Sequence, residues 1–219
     1  MILTARSTGD LQQIAKTVEG TNSTCKVLVI DCDVADNDGV KQVAKSIKDQ
    51  VGRLDVVVAD SAFSAEFTLK VTEGDPKTFQ KTFDTKLMGT CHVAHHLLPL
   101  LLSTAGGAKQ FIAIGSIAAW MTSGSAANTE YTVSKSAQAR LVEMIAEQHK
   151  REGLLTVTVH PGAVRTGTAL KLTPKVMHPG KLNCFSSPFP RQSTPVSPLS
   201  HHAKVFCLSI DRRFPKKQC

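Results

Sequence analysis

The chain has 219 residues, 42% of them hydrophobic and 20% charged, which suits one α/β domain with a real core. No apolar run reaches the length of a membrane span, the longest lying around residues 97–102, and residues 1–6 read as a strand rather than a signal peptide. Of the net charge of +8, six units sit after Gly180, where seven Lys/Arg face the single acid Asp211; the basicity belongs to the tail, which argues against nucleic acid or membrane as a partner.

Residues 2–5 form a short apolar strand. Residues 8–18 follow as a helix, with Leu11, Ile14, Ala15 and Val18 on one face. Residues 26–30 read as a buried strand, 40–51 as a helix through Val40, Val43, Ala44, Ile47 and Val51, and 55–59 as another buried strand. A long helical pattern covers 76–102, and a strand covers 111–115. Residues 130–151 are helical with Ala137, Leu141, Met144 and Ile145 inward, and a buried strand at 155–159 is closed by His160-Pro161-Gly162. This alternation predicts a parallel sheet with helices on both faces. Ligands of such sheets sit at the carboxyl ends of the strands. From about residue 181 the pattern stops. Pro188, Pro190, Pro195 and Pro198 stand among serines and basic residues, and the whole tail, including the apolar run 205–210, reads as coil or disorder. The expected division is an α/β domain over 1–180 and a Pro/Ser-rich basic tail over 181–219.

The six cysteines, Cys25, Cys32, Cys91, Cys184, Cys207 and Cys219, form no C-x-x-C pair and no Cys/His grouping of metal-ligand spacing. The sequence predicts no metal site and a reducing, cytoplasmic setting.

Tyr131 is the only tyrosine. Lys135 follows at i+4 on a predicted helix, so the two side chains share a face. An ammonium beside a phenol favours the phenolate, and such a pair can exchange a proton with a carbinol oxygen. Taken alone, it is also an ordinary helix-surface pair. Ser116 stands just past a buried strand, in Ile114-Gly115-Ser116-Ile117, where its hydroxyl could bond a substrate oxygen or simply close a turn. Pro161-Gly162 forces a turn after the next strand, followed by Val164 and Thr166. Ser116 is in no Gly-x-Ser-x-Gly elbow and no His/Asp pairing is evident, which argues against a hydrolase.

Ser116, then Tyr131-Thr132-Val133-Ser134-Lys135, then Pro161-Gly162 and Thr166, in that order, resemble the short-chain dehydrogenase/reductase family, classical type, as found among fungal biosynthetic enzymes. Asp31-Cys32-Asp33-Val34 is similar to the family's Asp-Val element, and Arg53-Leu54-Asp55-Val56-Val57-Val58 to the lead-in to its Asn-Asn-Ala-Gly turn. The resemblance covers about residues 1–172. It implies a Rossmann-like doubly wound sheet, with Tyr131 as general acid/base, Lys135 lowering its pKa and holding the nicotinamide ribose, and Ser116 orienting the substrate oxygen. It assigns to the cofactor Arg6, Asp33, Asp60, Lys86, Tyr131, Lys135, Val164 and Thr166. Asp33 would lie beside the adenine, and Thr166 at the carboxamide or a phosphate. Arg6 stands where a basic residue favours NADP over NAD. A small carbonyl or alcohol is the implied substrate, and the long helices imply a homo-oligomer.

The chain also departs from the family. It starts at what looks like the second strand, so the fold is expected to be N-terminally truncated, without the Gly-x-x-x-Gly-x-Gly turn that holds pyrophosphate. The strands on either side of the vacated position would then pair directly or expose edges. The Asn-Asn-Ala-Gly turn reads Ala59-Asp60-Ser61-Ala62. Lys86 aligns with a helix asparagine, and would either repel Lys135 or replace a water relay. The leading expectation is an NADP-dependent oxidoreductase interconverting a carbonyl and a secondary alcohol, with a setting in secondary metabolism. The alternative is a catalytically impaired relative with a binding or assembly role.

Overall fold

A computed structural model describes residues 1–61, 63, 70–122, 128–162 and 205–208. The elements run β1 (Ile2–Ala5), α1 (Thr8–Thr21), β2 (Leu28–Asp31), α2 (Asn37–Gln50), β3 (Val56–Ala59), α3 (Pro76–Phe83), a π turn (Asp84–Met88), α4 (Gly89–Ser103), β4 (Gln110–Ile114), α5 (Thr129–Gln148), β5 (Leu155–Val159) and β6 (Val205–Leu208). Short 3-10 turns cover Ile117–Trp120 and Lys150–Glu152. No helix among the described residues is long and apolar enough to cross a membrane.

Local chemistry marks the helix starts. Asp36, Asp75 and Asn128 each cap a helix by accepting a bond from a first-turn amide, that of Asp38, Lys77 and Tyr131 respectively. Pro76 follows its cap at a position where the missing N–H costs nothing. The helical pattern read over 76–102 is one continuous run from Pro76 to Ser103, interrupted by the π turn.

All strands are parallel, in the order β2-β1-β6-β3-β4-β5. On β1, Ile2 enters the main apolar cluster with Val40, Ile47, Leu97 and Phe111. Leu3 points the other way, to a smaller cluster with Leu11 and Ala15 of α1. Both faces of the sheet are therefore covered, which is the doubly wound Rossmann-like arrangement the alternation predicts.

Three expectations are corrected. First, among the described strands β2 and β5 are the outermost of the sheet rather than buried. β2 is half-buried, and Leu155, Val157 and Val159 of β5 are exposed. A continuous β-branched run does not distinguish a central strand from an edge. Second, the apolar stripe read on α5 faces inward only in part. Ile145 is buried and Leu141 packs half-buried against the core, as expected, but Met144 is exposed and Ala137 half-buried, and Ser134, Lys135, Gln138 and Val142 fill the buried face. The inner face is half polar because it lines the site. Third, the run read as coil at 205–210 contributes β6, which pairs with β1 through Ile2↔Phe206 and with β3 through Val57↔Phe206. β1 and β3 neither pair directly nor expose their inner edges. Each ladder is occupied by the apolar Val-Phe-Cys-Leu segment, since unpaired central backbone groups are costly.

Candidate active site

Parallel strands share one carboxyl edge, and the predicted residues gather there. Arg6 follows β1, Asp33 lies two residues past β2, Asp60 follows β3, and Ser116 lies two residues past β4. Gly115 lets β4 and β5 close up before Ser116. Its amide donates to the Val159 carbonyl at 2.9 Å, and a Cβ there would meet Thr158 Cγ2 at 2.4 Å. Ser116 then caps the 3-10 turn, its Oγ accepting from Ala118 N at 3.2 Å. Ser136 Oγ of α5 donates to the Ala119 carbonyl, tying that turn to the helix of Tyr131. At the foot of β5, Gly162 holds φ +78, the left-handed geometry expected of the Pro161-Gly162 turn.

Tyr131 sits in the first turn of α5, largely buried and within hydrogen-bonding reach of Ser116. Lys135, 4% exposed, donates to the Ile114 carbonyl at 2.5 Å and to Gln138 Oε1 at 2.9 Å. Lys86, 1% exposed, projects from the π turn, donates to the Phe63 carbonyl at 2.6 Å, and holds its Nζ 4.7 Å from the centre of the Tyr131 ring. π turns of this kind recur at functional sites.

Burial pushes the pKa of the Tyr131 phenol up, and the Ser116 hydroxyl opposes that. Burial brings Lys135 down to about 8 against the pull of Asp60. Lys86 falls to about 7, through burial first and then repulsion by Lys135, with Glu130 opposing both. Of the two outcomes open for Lys86, repulsion of Lys135 is present, and the ammonium also lies against the reactive ring.

Two site partners were not singled out from the sequence. Gln138, fully buried, accepts from Lys135 and donates to Thr90 Oγ1 at 2.8 Å and to the Lys86 carbonyl at 3.4 Å. Glu130, also buried, faces Lys86. The spacing Tyr131, Lys135, Gln138, Val142, Ile145 is itself helical and could have exposed this stripe.

At the far end of the shared edge, Arg6 and Asp33 form a loose ion pair, Arg6 Nη1 lying 4.0 Å from Asp33 Oδ2 with both side chains about half exposed. These residues fit a dinucleotide at its two ends. Arg6 is solvent-accessible and weakly held, ready for a phosphate. Among the described residues Lys135 has two acceptors for its three N–H bonds. Among the described residues no glycine-rich turn stands at the carboxyl end of β1 or β3. Val164 and Thr166 lie outside the described residues, as does most of the loop between Ser116 and Tyr131.

A family model described as short chain dehydrogenase matches residues 1–176. The short chain dehydrogenase citE of Monascus ruber is 35% identical over 147 residues, covering 67% of this chain and 49% of that protein. The NADPH-dependent pterin aldehyde reductase of Arabidopsis thaliana is 29% identical over 145 residues, covering 66% of this chain and 57% of the relative. Among solved structures, a short-chain type dehydrogenase/reductase from Mycobacterium ulcerans superposes with a TM-score of 0.72 at 23% identity, over 80% of this chain and 62% of that one. The chain thus spans about half the length of citE.

Proposed function

The chain belongs to the short-chain dehydrogenase family, and from that premise we propose that it is an NADP-dependent oxidoreductase interconverting a carbonyl and a secondary alcohol. The observation that carries this is the meeting of Ser116, Tyr131, Lys135 and Lys86 at the carboxyl edge of the sheet. Two hydroxyls in hydrogen-bonding contact define a spot where a substrate oxygen can touch both.

The chemistry supplied by a bound nicotinamide is hydride exchange with the substrate carbon. Arg6 would hold the 2′-phosphate and Asp33 the adenine side, while Lys135 and Tyr131 would hold the nicotinamide ribose, with Asp60 set against Lys135. Val164 and Thr166 are proposed contacts beyond the Pro161-Gly162 turn. Tyr131 keeps the proton that a nascent alkoxide takes up, or receives it in the reverse direction. Ser116 donates to the substrate oxygen as charge builds there. The Ile114 carbonyl and Gln138 fix the Lys135 amine. A preference for NADP draws support from Arg6 and from the NADPH-dependent plant relative. A setting in secondary metabolism draws on the fungal relatives such as citE and the Aspergillus terreus protein pgmD. Assembly as a homo-oligomer draws on α5, whose exposed Val133 and Met144 lie three turns apart on one face.

NADPH fluorescence on mixing with the protein is expected to rise and shift to the blue, with NADH responding less. Tyr131→Phe should retain this binding and lose carbonyl reduction by about a thousandfold or more, the scale of a removed general acid. A flat NADPH trace at high protein concentration would instead support an impaired relative. Undiminished turnover in Tyr131→Phe would remove the role given to the phenol.

A further inference from the structure

The amine that covers the Tyr131 ring does not come from the tyrosine's own helix. We propose that Lys86 is the cation that steadies Tyr131 while its phenol gives up a proton, a positioning residue acting on the reaction through the ring it covers. The proposal rests on the oxidoreductase reading above.

The geometry separates the two lysines. Lys135 directs its Nζ to the Ile114 carbonyl and Gln138 Oε1. Lys86 places its Nζ 4.7 Å from the Tyr131 ring centre, with the Phe63 carbonyl as its hydrogen-bond acceptor. Its backbone is fixed as well, because its carbonyl accepts from Thr90 Oγ1 at 2.7 Å and from Gln138. A cation over an aromatic face is drawn to the ring. It is drawn more strongly to a phenolate, whose charge spreads into that ring, so the interaction grows as the proton leaves. In reduction the phenol O–H bond breaks, the proton passes to the substrate oxygen, and the electron pair stays on the phenol oxygen. Lys86 keeps its protons and contributes only charge.

The groups facing Lys86 decide when that charge is present. From α5 these are Tyr131, Glu130 and Lys135. From the segment after β3 they are the Phe63 carbonyl, with Asp60 acting on Lys135. Lys81 of α3 meets the Phe63 ring, its Nζ 4.8 Å from the ring centre. Their balance leaves Lys86 charged below about 7 and neutral above it. Its help to Tyr131 therefore belongs to the acid side of the pH range.

Tyr131 is the only tyrosine, so ultraviolet phenolate absorbance reports on it alone, without substrate or cofactor. In the wild type, Lys86 has shed its proton before the phenol ionises. Lys86→Met should therefore titrate like the wild type. Lys86→Arg keeps its charge throughout, and its phenolate midpoint should fall by about one pH unit or more. An Arg variant titrating at the wild-type midpoint overturns the proposal. Should the Arg variant not fold, the rate profile of Lys86→Met decides. Reduction should be about tenfold slower than wild type near pH 6 and converge with it near pH 9; equal rates throughout overturn the proposal. A wild type without turnover on any carbonyl would defeat the oxidoreductase reading, and the tyrosine titration would still settle the coupling of Lys86 to the ring.

Discussion

Two lysines buried within one site leave a mark on stability as well as on chemistry. Lys86 and Lys135 titrate at about 7 and about 8 in the folded protein, below the 10.5 of an ordinary lysine. Between those values and 10.5 the unfolded chain binds protons that the folded one does not, so stability climbs with pH across that window. Below about 7 the full cost of both buried ammoniums is present. Each lysine contributes a slope of about 1.4 kcal/mol per pH unit inside its window. Urea unfolding of the wild type and of Lys86→Met, followed from about pH 7 to about pH 10, should show the variant's slope reduced by one lysine's share. Identical slopes would mean that Lys86 is not depressed in the fold. At this scale the sequence was informative about which residues meet and less so about their charge state. Ser116, Tyr131 and Lys135 could be read from order and spacing, because residues just past parallel strands, or a helical turn apart, must converge. That burial would raise the Tyr131 phenol, and that Lys86 would arrive over its ring, depends on how far α5 and the π turn sink into the core, which spacing along the chain does not encode.

The elements that carry the site hold it by close approach. β4 and β5 draw together just before Ser116, where the missing side chain of Gly115 leaves room for the Thr158 methyl. Gly89, at the start of α4, plays the same part, since a Cβ there would meet Val34 Cγ2 at 2.6 Å. Gly115→Ala should part the two strands, cost about 1–3 kcal/mol as an overpacked contact, and displace the Ser116 hydroxyl from Tyr131. Thr158→Ser removes the opposing methyl and keeps the hydroxyl. The double variant should recover most of the loss in both stability and reduction, with a favourable coupling above about 0.5 kcal/mol in the double-mutant cycle. Additive losses would place the cause elsewhere than this contact. Helices were legible wherever apolar periodicity and caps agreed, as in α2, where Asp36 opens the helix and Val40, Val43 and Ile47 are buried. The inner face of α5 was legible only in part, at Ile145 and Leu141, because a helix lining a polar site buries Lys135 and Gln138 and leaves Met144 outside. Edge position was hidden in β5 for a related reason: Val and Leu suit a pleated strand whether or not anything covers it.

At the scale of the whole molecule the sheet is joined across its middle by β6. β1 and β2, with α1, form one side, and β3, β4 and β5 the other. The ladders Ile2↔Phe206 and Val58↔Cys207 are what connect the two sides among the described strands. The run at 205–210 was visible in the sequence as apolar, but prolines and serines around it pointed to coil. A strand's partners lie far away along the chain, so no local pattern named β1 and β3 as its neighbours. The consequence is testable because a central strand tolerates interruption poorly. Ending the chain before residue 201 would strip hydrogen-bond partners from β1 and β3 at once. Phe206→Pro would remove one donor and fix a backbone angle in mid-sheet, at a cost of about 3 kcal/mol. In hydrogen exchange, amides of 205–208 should be protected to nearly the same degree as those of β3. Both variants should lower the unfolding midpoint and speed exchange in β1 and β3 together, since opening the shared ladder frees both neighbours. Fast exchange at 205–208 in the intact protein, or β1 and β3 amides indifferent to loss of the segment, would mean that the two halves of the sheet are held by the helices packed across them and not by this strand.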